Sequence, residues 1–223
     1  MDVRYLKNIG TITESQQRTL YEKKVLVAGC GGLGGYVIEF LTRLGIGHLV
    51  VCDGDYFEES NLNRQLYATE NTLGMHKAEA AKDRIESVNR SGQVTKICQP
   101  LTTKNMSAAL HGCDLAIDAL DNLESRFLLE QTCEQLGIPY IYGGVNGWFG
   151  SVGTVMPRMR MIQKLYTGVP KTHIASTIAM TVAVTASVQA VEAVKVLTGE
   201  GSLINKLLMM DLQNYKFDII EVE

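Results

Sequence analysis

The stretch that decides the fold is residues 24–65, which read KVLVAGCGGLGGYVIEFLTRLGIGHLVVCDGDYFEESNLNRQ. An apolar run opens the stretch and is followed by a glycine-rich turn and by a helical pattern that ends at Gly45. A second apolar run then ends at Asp53, and a polar cluster follows it. This order predicts a strand, a tight turn, a helix and a second strand.

The turn places glycine at Gly29, Gly31 and Gly34. Glycines at this spacing let the backbone approach a phosphate and let a helix pack closely on a strand. The start of the helix then presents free N–H groups to an anion. Asp53 follows the turn by about 20 residues, which is typical of a carboxylate that receives ribose hydroxyls. We therefore predict a nucleotide site; the alternative is a buried glycine-rich corner without a ligand.

The polar run after Asp53 indicates what kind of nucleotide is bound. Asn61, Arg64 and Gln65 follow within twelve residues of Asp53, and Lys77 adds a second cation at the start of a predicted helix. Arg64 is a bidentate donor suited to a polyphosphate. A dehydrogenase would need a flat apolar slot for nicotinamide here. The alternative is a solvated loop that carries an ordinary surface arginine and lysine.

A second candidate cluster lies at the end of another predicted strand. Asp118, Asp121 and Asn122 come at its carboxyl end, the edge where open α/β sheets bind ligands. Two carboxylates three residues apart suit Mg²⁺, which takes one or two carboxylates plus substrate phosphates. Alternatively, Asp121 caps the following helix, or Asp118 or Asn122 serves as the cap. Since a polyphosphate is already expected, we favour Asp121 as a Mg²⁺ ligand.

The composition excludes some partners. The chain has 223 residues and a net charge of −3, with acids and bases interspersed, so no basic stripe indicates nucleic acid. Its five cysteines include no C-x-x-C pair, which favours a reducing cytoplasm and offers no zinc site. The first residues contain no apolar segment typical of a signal peptide.

Residues 174–191 carry no charge and are long enough to span a membrane. Several hydroxyl-bearing residues interrupt this run, and Glu192 and Lys195 continue its helical pattern. We expect a buried helix at a core or a subunit interface, and no membrane role.

The remaining pattern completes an α/β fold. We predict a Rossmann-like doubly wound sheet that is parallel in the N-terminal half, with antiparallel strands added by the C-terminal half. Helices are expected after Thr13 and over 75–90, 122–136 and 176–197, and a short helix capped by Thr103 or Asn105 is expected to end at His111. Strands are expected over 94–98, 115–118, 140–142 and 148–155, a loop over 156–171, and a closing hairpin over 203–222.

These motifs together resemble the ThiF/MoeB/HesA family, the bacterial relatives of the ubiquitin-activating enzymes. The matching segments are Gly29–Gly34, Asp53-Gly-Asp55, Ser60-Asn-Leu-Asn-Arg-Gln65, Gly74-x-x-Lys77, Asp118-x-x-Asp121-Asn122 with Arg126, Gly143-Gly144 and Gln189–Lys195. The resemblance covers nearly the whole chain, and the Ser-Asn-Leu-Asn-Arg-Gln run is its most specific part.

The resemblance implies an enzyme that uses ATP and Mg²⁺ to attach AMP to the C-terminal glycine of a small ubiquitin-like (β-grasp, ThiS/MoaD-type) sulfur carrier, as in thiamine or molybdopterin biosynthesis. It implies a cytoplasmic homodimer. The implied nucleotide-binding residues are Gly29, Gly31, Gly32, Gly34, Asp53, Asp55, Asn61, Arg64, Gln65, Lys77, Asp121 and Asn122. Arg64, Lys77 and Asp121 would be catalytic, and Arg4 or Lys7 would reach the partner's site.

Three departures from the family pattern qualify these expectations. The paired C-x-x-C motifs of zinc-binding relatives are absent, so no zinc is expected. No cysteine follows Cys133, which makes a thioester or persulfide on this chain doubtful. The second arginine of the family's Arg-Tyr-x-Arg start is replaced by Lys7, and a lysine is not an equivalent bidentate donor.

We predict one adenylylating domain over 1–223, with a helical lead-in over 1–23, a nucleotide-binding half over 24–142 and a carrier-binding and dimerisation half over 143–223. A non-catalytic nucleotide-binding scaffold subunit is the alternative from another class. Adenylylation of a non-protein or RNA substrate, as in dehydratase relatives, is the nearest variant, and an NAD(P) oxidoreductase comes third.

Overall fold

The computed structural model describes residues 2–166 and 176–222. Eight strands form one sheet in the order β3-β2-β1-β4-β5-β6-β7-β8. The strands are β1 (Lys24–Ala28), β2 (His48–Cys52), β3 (Gln93–Ile97), β4 (Leu115–Asp118), β5 (Tyr140–Asn146), β6 (Phe149–Val155), β7 (Lys206–Asp211) and β8 (Lys216–Glu221). The pairs from β3 to β5 are parallel and those from β5 to β8 are antiparallel, which confirms the predicted fold class.

Helices cover both faces of the sheet. They are α1 (Glu14–Glu22), α2 (Gly32–Leu44), α3 (Lys77–Val88), α4 (Met106–Leu110), α5 (Leu123–Leu136), α6 (Met161–Tyr166) and α7 (Ala179–Leu197), and a 3₁₀ helix at Val3–Asn8 precedes them. One core cluster joins the sheet to α2, α3 and α7, and the other joins it to α4, α5 and α6. Because β1 is buried on both faces, its sequence is a continuous apolar run rather than an alternating one.

Helix ends follow the expected local chemistry. Thr13 begins α1 with a capping box, in which its hydroxyl accepts from Gln16 N–H and the Gln16 side chain accepts in return. Gly45 and Gly137 end α2 and α5 in the left-handed conformation, where glycine has no Cβ to strain. These predicted boundaries are confirmed.

The loop predicted over 156–171 is wrong over 161–166, where α6 forms. Its Met161 and Ile162 side chains are fully buried, and the Glu130 carboxylate on α5 accepts the Ile162 N–H at 2.7 Å. This contact with a distant helix has no local sequence signal. Residues 167–171 of the predicted loop, and 174–175 of the uncharged run, lie outside the described residues.

Two further boundaries differ from the prediction. The long helix α7 begins at Ala179 rather than at residue 176. Gly143 and Gly144 lie within β5 rather than in the connection after it, because β5 continues to Asn146 as the antiparallel partner of β6.

The apolar helix α7 satisfies the length and composition of a membrane span, and half of its apolar window is buried inside the protein. It packs on α2 and on strands β5 and β6. This packing explains the apolar composition as that of a core helix and supports the prediction that it does not cross a membrane.

Candidate functional site

The candidate site lies where β1 and β4 leave the sheet. These parallel neighbours are followed by chain segments that go to opposite faces, and such a switch point opens a crevice at the carboxyl ends of the strands. The glycine turn leaves β1 at this point, and the segment that carries Asp121 leaves β4 beside it.

Two glycines of the turn are required by packing. Gly29 has a φ of +99°, and a Cβ there would lie 2.5 Å from the backbone oxygen of Ala119. A Cβ on Gly34 would lie 1.9 Å from the backbone oxygen of Gly29. Any larger residue at either position would push the helix away from the strand or open the turn.

Two other glycines are not explained by packing. A Cβ on Gly31 would approach Gln65 Nε2 at 3.4 Å, and one on Gly32 would lie 3.5 Å from Val182 Cγ1, an ordinary contact. Gly31 also begins α2 without any side-chain cap, so the first-turn N–H groups have no capping acceptor from a side chain. A helix start that is open in this way suits a phosphate.

Asp53 connects the end of β2 to the glycine turn. Its two carboxylate oxygens accept from Cys30 N–H at 2.7 Å and Asp55 N–H at 2.8 Å. Burial raises the pKa of Asp53, while these two hydrogen bonds and the charge of Lys77 oppose the rise. The carboxylate therefore lies where the sequence predicts it, directly beside the turn.

Lys77 begins α3 with its side chain almost fully buried, and its Nζ lies 3.1 Å from Asp55 Oδ2. Its backbone N–H also donates to the Asp55 carbonyl at 3.0 Å. The Lys77 charge also opposes the rise that burial causes in the pKa of Asp53, so this cation acts on Asp53 while it pairs with Asp55. The structure thus brings Lys77 to Asp53 and Asp55, which lie more than about 20 residues before it in the sequence.

The polar run forms a compact loop around a 3₁₀ turn at Glu59–Asn61. Asn61 is buried, and its side-chain oxygen accepts the Glu58 N–H at 3.2 Å. Arg64 donates to Ser60 O at 2.9 Å and to Asn63 Oδ1 at 2.8 Å.

Gln65 ends this loop in a buried position against Gly31. Its Oε1 has no hydrogen-bond partner among the described residues. A buried polar atom without a partner is costly, so an unpaired amide beside the glycine turn suits a place where a ligand is received.

Glu39 anchors this loop to two helices, and the sequence analysis did not identify it. The buried carboxylate on α2 accepts from Arg84 on α3 at 2.8 and 2.7 Å and from Tyr67 Oη at 3.4 Å. Burial alone would raise the pKa of Glu39, but hydrogen bonds from Arg84 and Arg43 outweigh it and lower the pKa. The only sequence signal was the i, i+4 spacing of Glu39 and Arg43.

The two strand-end carboxylates do not face one ligand. Asp118 is completely buried, and its Oδ1 accepts the Leu120 N–H at 3.0 Å while its Oδ2 lies 3.5 Å from Arg126 Nη1. Burial raises the pKa of Asp118, and the charge of Arg126 opposes the rise. Asp118 therefore belongs to the interior, whereas Asp121 does not.

Asp121 is exposed and its carboxylate accepts from Asn122 Nδ2 at 3.3 Å. Asn122 itself caps α5, because its Oδ1 accepts the Ser125 N–H at 2.9 Å. Of the alternatives for the cap, Asn122 is thus the correct one, and Asp121 remains available to a ligand.

The chemistry of this donor set fits Mg²⁺ only with help from a substrate. Over residues 2–166 and 176–222, no group of three or more His, Cys, Asp or Glu side chains is placed to hold a metal. A single carboxylate together with substrate phosphates is an ordinary way to bind Mg²⁺.

The N-terminal segment lies at the opposite end of the sheet from the glycine turn. Tyr5 is buried against Gly45 at the far end of α2, and Arg4 hydrogen-bonds to Asn89 and lies 3.4 Å from Asp2. The 13 residues of α2 separate the two ends by about 20 Å. Arg4 and Lys7 are therefore not part of the site formed by their own chain.

The architecture is that of a Rossmann-like α/β protein, and its strand order reverses between β1 and β4, the kind of switch point at which such sheets bind ligands. The chain belongs to the ThiF family, whose model matches residues 5–223. The resemblance predicted from the motifs is confirmed.

Two curated relatives carry the same kind of name. The sulfur carrier protein ThiS adenylyltransferase of Bacillus subtilis is 34% identical over 196 residues, covering 85% of this chain and 58% of the relative. The sulfur carrier protein adenylyltransferase of Thermus thermophilus is 33% identical over 217 residues, covering 92% of this chain and 80% of the relative. The chain is therefore an enzyme of the adenylyltransferase type, as the sequence predicted.

A solved structure supports the fold alone. The crystal structure of Escherichia coli MccB with ATP matches with a TM-score of 0.84 at 22% identity, covering all of this chain and 71% of MccB. At this identity, the likeness confirms the Rossmann-like sheet.

Proposed function

We propose that this enzyme uses ATP to adenylylate the C-terminal glycine carboxylate of a small ubiquitin-like sulfur carrier of the ThiS/MoaD type. The observation that carries the proposal is the uncapped start of α2, where Gly31 and Gly32 leave room that packing does not require. The names of the relatives supply the class of acceptor.

The roles of the residues follow from their placement. The turn from Gly29 to Gly34 receives phosphate through backbone N–H groups, and Asp53 accepts the ribose hydroxyls with lone pairs that its two backbone donors leave free. Asn61, Arg64 and Gln65 contribute polar groups from the loop, and Asp55 holds Lys77 in position. Asn122 keeps the start of α5 capped beside Asp121.

The reaction needs positioning more than covalent help. A carboxylate oxygen of the carrier attacks the α-phosphorus, the bond from that phosphorus to the bridging oxygen breaks, and pyrophosphate leaves with the electron pair. The product is an acyl adenylate. The carboxylate of the carrier and the phosphates of ATP are both anionic and repel one another. The cationic side chains of Lys77 and Arg64 offset this repulsion and stabilise the charge that develops on the leaving pyrophosphate.

Asp121 is the residue that would hold Mg²⁺, together with the phosphates of the nucleotide. When bound, the ion neutralises phosphate charge and orients the polyphosphate. Asp118 is buried beside Arg126, Asp53 accepts two backbone N–H groups and Asp55 pairs with Lys77, which leaves Asp121 the most available of these four carboxylates.

The antiparallel half supplies surface for partners. Exposed apolar side chains lie there on both faces of the sheet, at the β5–β6 turn and on the last two strands: Trp148, Phe149, Met209, Phe217, Ile219 and Ile220. An apolar surface of this kind marks a contact with another protein. We assign it to the carrier and to a second copy of the chain, in a cytoplasmic homodimer.

The dimer would complete the site. Because Arg4 and Lys7 lie at the wrong end of the sheet for their own chain, they act only in the site of the partner, as cations for the terminal phosphates. Lys7 does so as a point charge rather than a bidentate donor.

ATP–pyrophosphate exchange, measured against a panel of ubiquitin-like carriers from the same genome, tests the proposal. We expect exchange with one or two carriers that end in glycine, and none when the terminal glycine is removed. Binding of ATP without exchange for any carrier would favour the scaffold alternative, and exchange with a small carboxylate or RNA would replace the proposed acceptor.

A further inference from the structure

The inference concerns the point where strands β4 and β5 separate. They pair only at Ala116–Tyr140 and Ile117–Ile141. The Ala116 N–H donates to Pro139 O at 3.1 Å. Because every second residue of a strand directs its backbone groups to the same side, backbone groups beyond these pairs face the gap between β4 and β5. Beyond the pair, the chain from Asp118 turns towards the nucleotide edge.

A glutamine from α7 enters the gap from one face of the sheet. Gln189 is fully buried, and its Nε2 donates to Asp118 O at 2.9 Å and lies 3.4 Å from Ile141 O. A Cβ on Gly143 would lie 2.3 Å from the Gln189 amide. The glycine in β5 therefore provides the space that Gln189 occupies.

An arginine from α5 enters the same gap from the other face. Arg126 donates to Leu120 O through Nε at 3.1 Å and Nη2 at 2.6 Å, and its Nη2 also donates to Gly143 O at 2.9 Å. Its guanidinium lies 5.1 Å from the centre of the Tyr142 ring, beside the Asp118 carboxylate. The two side chains thus bridge the strands at successive carbonyl positions, 118 with 141 and 120 with 143.

This arrangement is not what stability alone would select. Gln189 Oε1 is buried and has no hydrogen-bond partner among the described residues, and the buried ion pair of Arg126 Nη1 and Asp118 Oδ2 is long, at 3.5 Å. Apolar side chains of similar volume would fill the same space without unpaired polar atoms.

We propose that Gln189 and Arg126, which together we term the carbonyl clamp, are positioning residues that set the path of residues 119–122. Their hydrogen bonds end at Leu120, directly before Asp121. The clamp holds the Asp121 carboxylate at the distance from the glycine turn that the nucleotide and its metal ion need. The catalytic part of this inference rests on the role proposed for Asp121.

Hydrogen–deuterium exchange on the free protein tests the clamp without any reaction. We expect peptides that cover 119–123 to exchange several-fold faster in Gln189→Met and in Arg126→Lys. Glu192→Gln is the matched control, because Glu192 is a buried residue of the same helix whose hydrogen bonds go to Thr154, Ser202 and Leu203 instead. Unchanged exchange over 119–123 in both clamp variants, or an equal change in the control, would overturn the proposal.

A double-mutant cycle tests the link to Asp121. Gln189→Met should lower adenylylation about 10–100-fold and raise the Mg²⁺ concentration for half-maximal rate, with the KM for the carrier unchanged. In an Asp121→Ala background the same change should cost nothing further. Independent, additive losses would contradict positioning through Asp121.

The two proposals remain distinguishable in these tests. If Asp121→Ala is fully active, the assignment of Asp121 as a metal ligand fails. The hydrogen–deuterium exchange of residues 119–123 still decides whether the carbonyl clamp exists. If Gln189→Met does not fold, Arg126→Lys, which keeps the charge beside Asp118 but loses the forked donors, takes its place in both experiments.

Discussion

The parallel and antiparallel parts of the sheet differ sharply in burial. In β1, β2 and β4 nearly every residue is buried, whereas all six residues of β8 are exposed. By cross-strand pairing, Phe217 and Ile219 of β8 share a face with Met210 and Leu208, and Ile220 shares the other face with Leu207. The chain thus buries these three parallel strands almost completely but leaves an apolar antiparallel edge exposed, a surface typical of a contact with another protein.

Matched substitutions in the two regions should give the largest difference in stability. Ile117→Ala in β4 removes a fully buried side chain, and we expect the free energy of unfolding to fall by about 2–5 kcal/mol. Ile219→Ala in β8, where the residue is 59% exposed, should change it by less than about 0.5 kcal/mol. Urea titration of both variants measures this. Equal losses would show that the edge strand is as important to the core as the centre of the sheet.

Asp121→Ala should separate catalysis from folding within the parallel half. The side chain is exposed, so we expect unchanged unfolding but a loss of about 10²–10³-fold in ATP–pyrophosphate exchange, as for removal of one principal charge stabiliser. The control is Asp114→Asn, whose carboxylate pairs with Lys23 at the other end of β4. Near wild-type exchange in Asp121→Ala would remove the metal assignment.

Mixed dimers test whether the N-terminal segment of one subunit contributes to the site that contains Asp121 in the other subunit. One subunit carries Arg4→Ala and Lys7→Ala, and the other carries Asp121→Ala. If the N-terminal segment acts in the partner's site, each homodimer is inactive, while the mixed dimer has one complete site and recovers about half the wild-type activity. Full activity of the Arg4/Lys7 double-variant homodimer would rule out the contribution of the partner.

The smallest effect is expected from the cysteines. Burial raises the pKa of Cys52 to about 12 and of Cys113 to about 11, and it also raises the pKa of Cys30 and Cys133. These thiols therefore stay protonated and unreactive at pH 8. Titration of the native protein with a thiol reagent should detect rapid reaction of at most about one group, the half-buried Cys98.

A covalent thioester with the carrier would contradict the expectation that the cysteines are unreactive. About one zinc per chain by elemental analysis would contradict the expectation that the protein holds no zinc. The absence of stoichiometric zinc stays a prediction until that measurement is made.

Local sequence signals were sufficient for the nucleotide half. The apolar runs, the glycine spacing and the Asp53 position are short-range features, since a turn, a helix cap or a buried parallel strand is specified by neighbouring residues. The Thr13 capping box and the C-terminal glycines of α2 and α5 were predicted for the same reason. The antiparallel strands were also predicted, although the extent of β5 was not.

Only the tertiary structure decided which polar residues face the site. Asp118 and Asp121 are equivalent candidates in sequence. In the structure, Asp118 is buried and pairs with Arg126, whereas Asp121 is exposed, and Asn122 rather than Asp121 caps the helix α5. Likewise, α6 depends on Glu130, and Gln189 reaches carbonyls that lie far away in the chain. Such choices depend on long-range hydrogen bonds and burial, which leave no period or motif in the sequence by itself. The sequence therefore specified the fold class and a candidate site, and packing set which of the candidate side chains are buried and which are exposed.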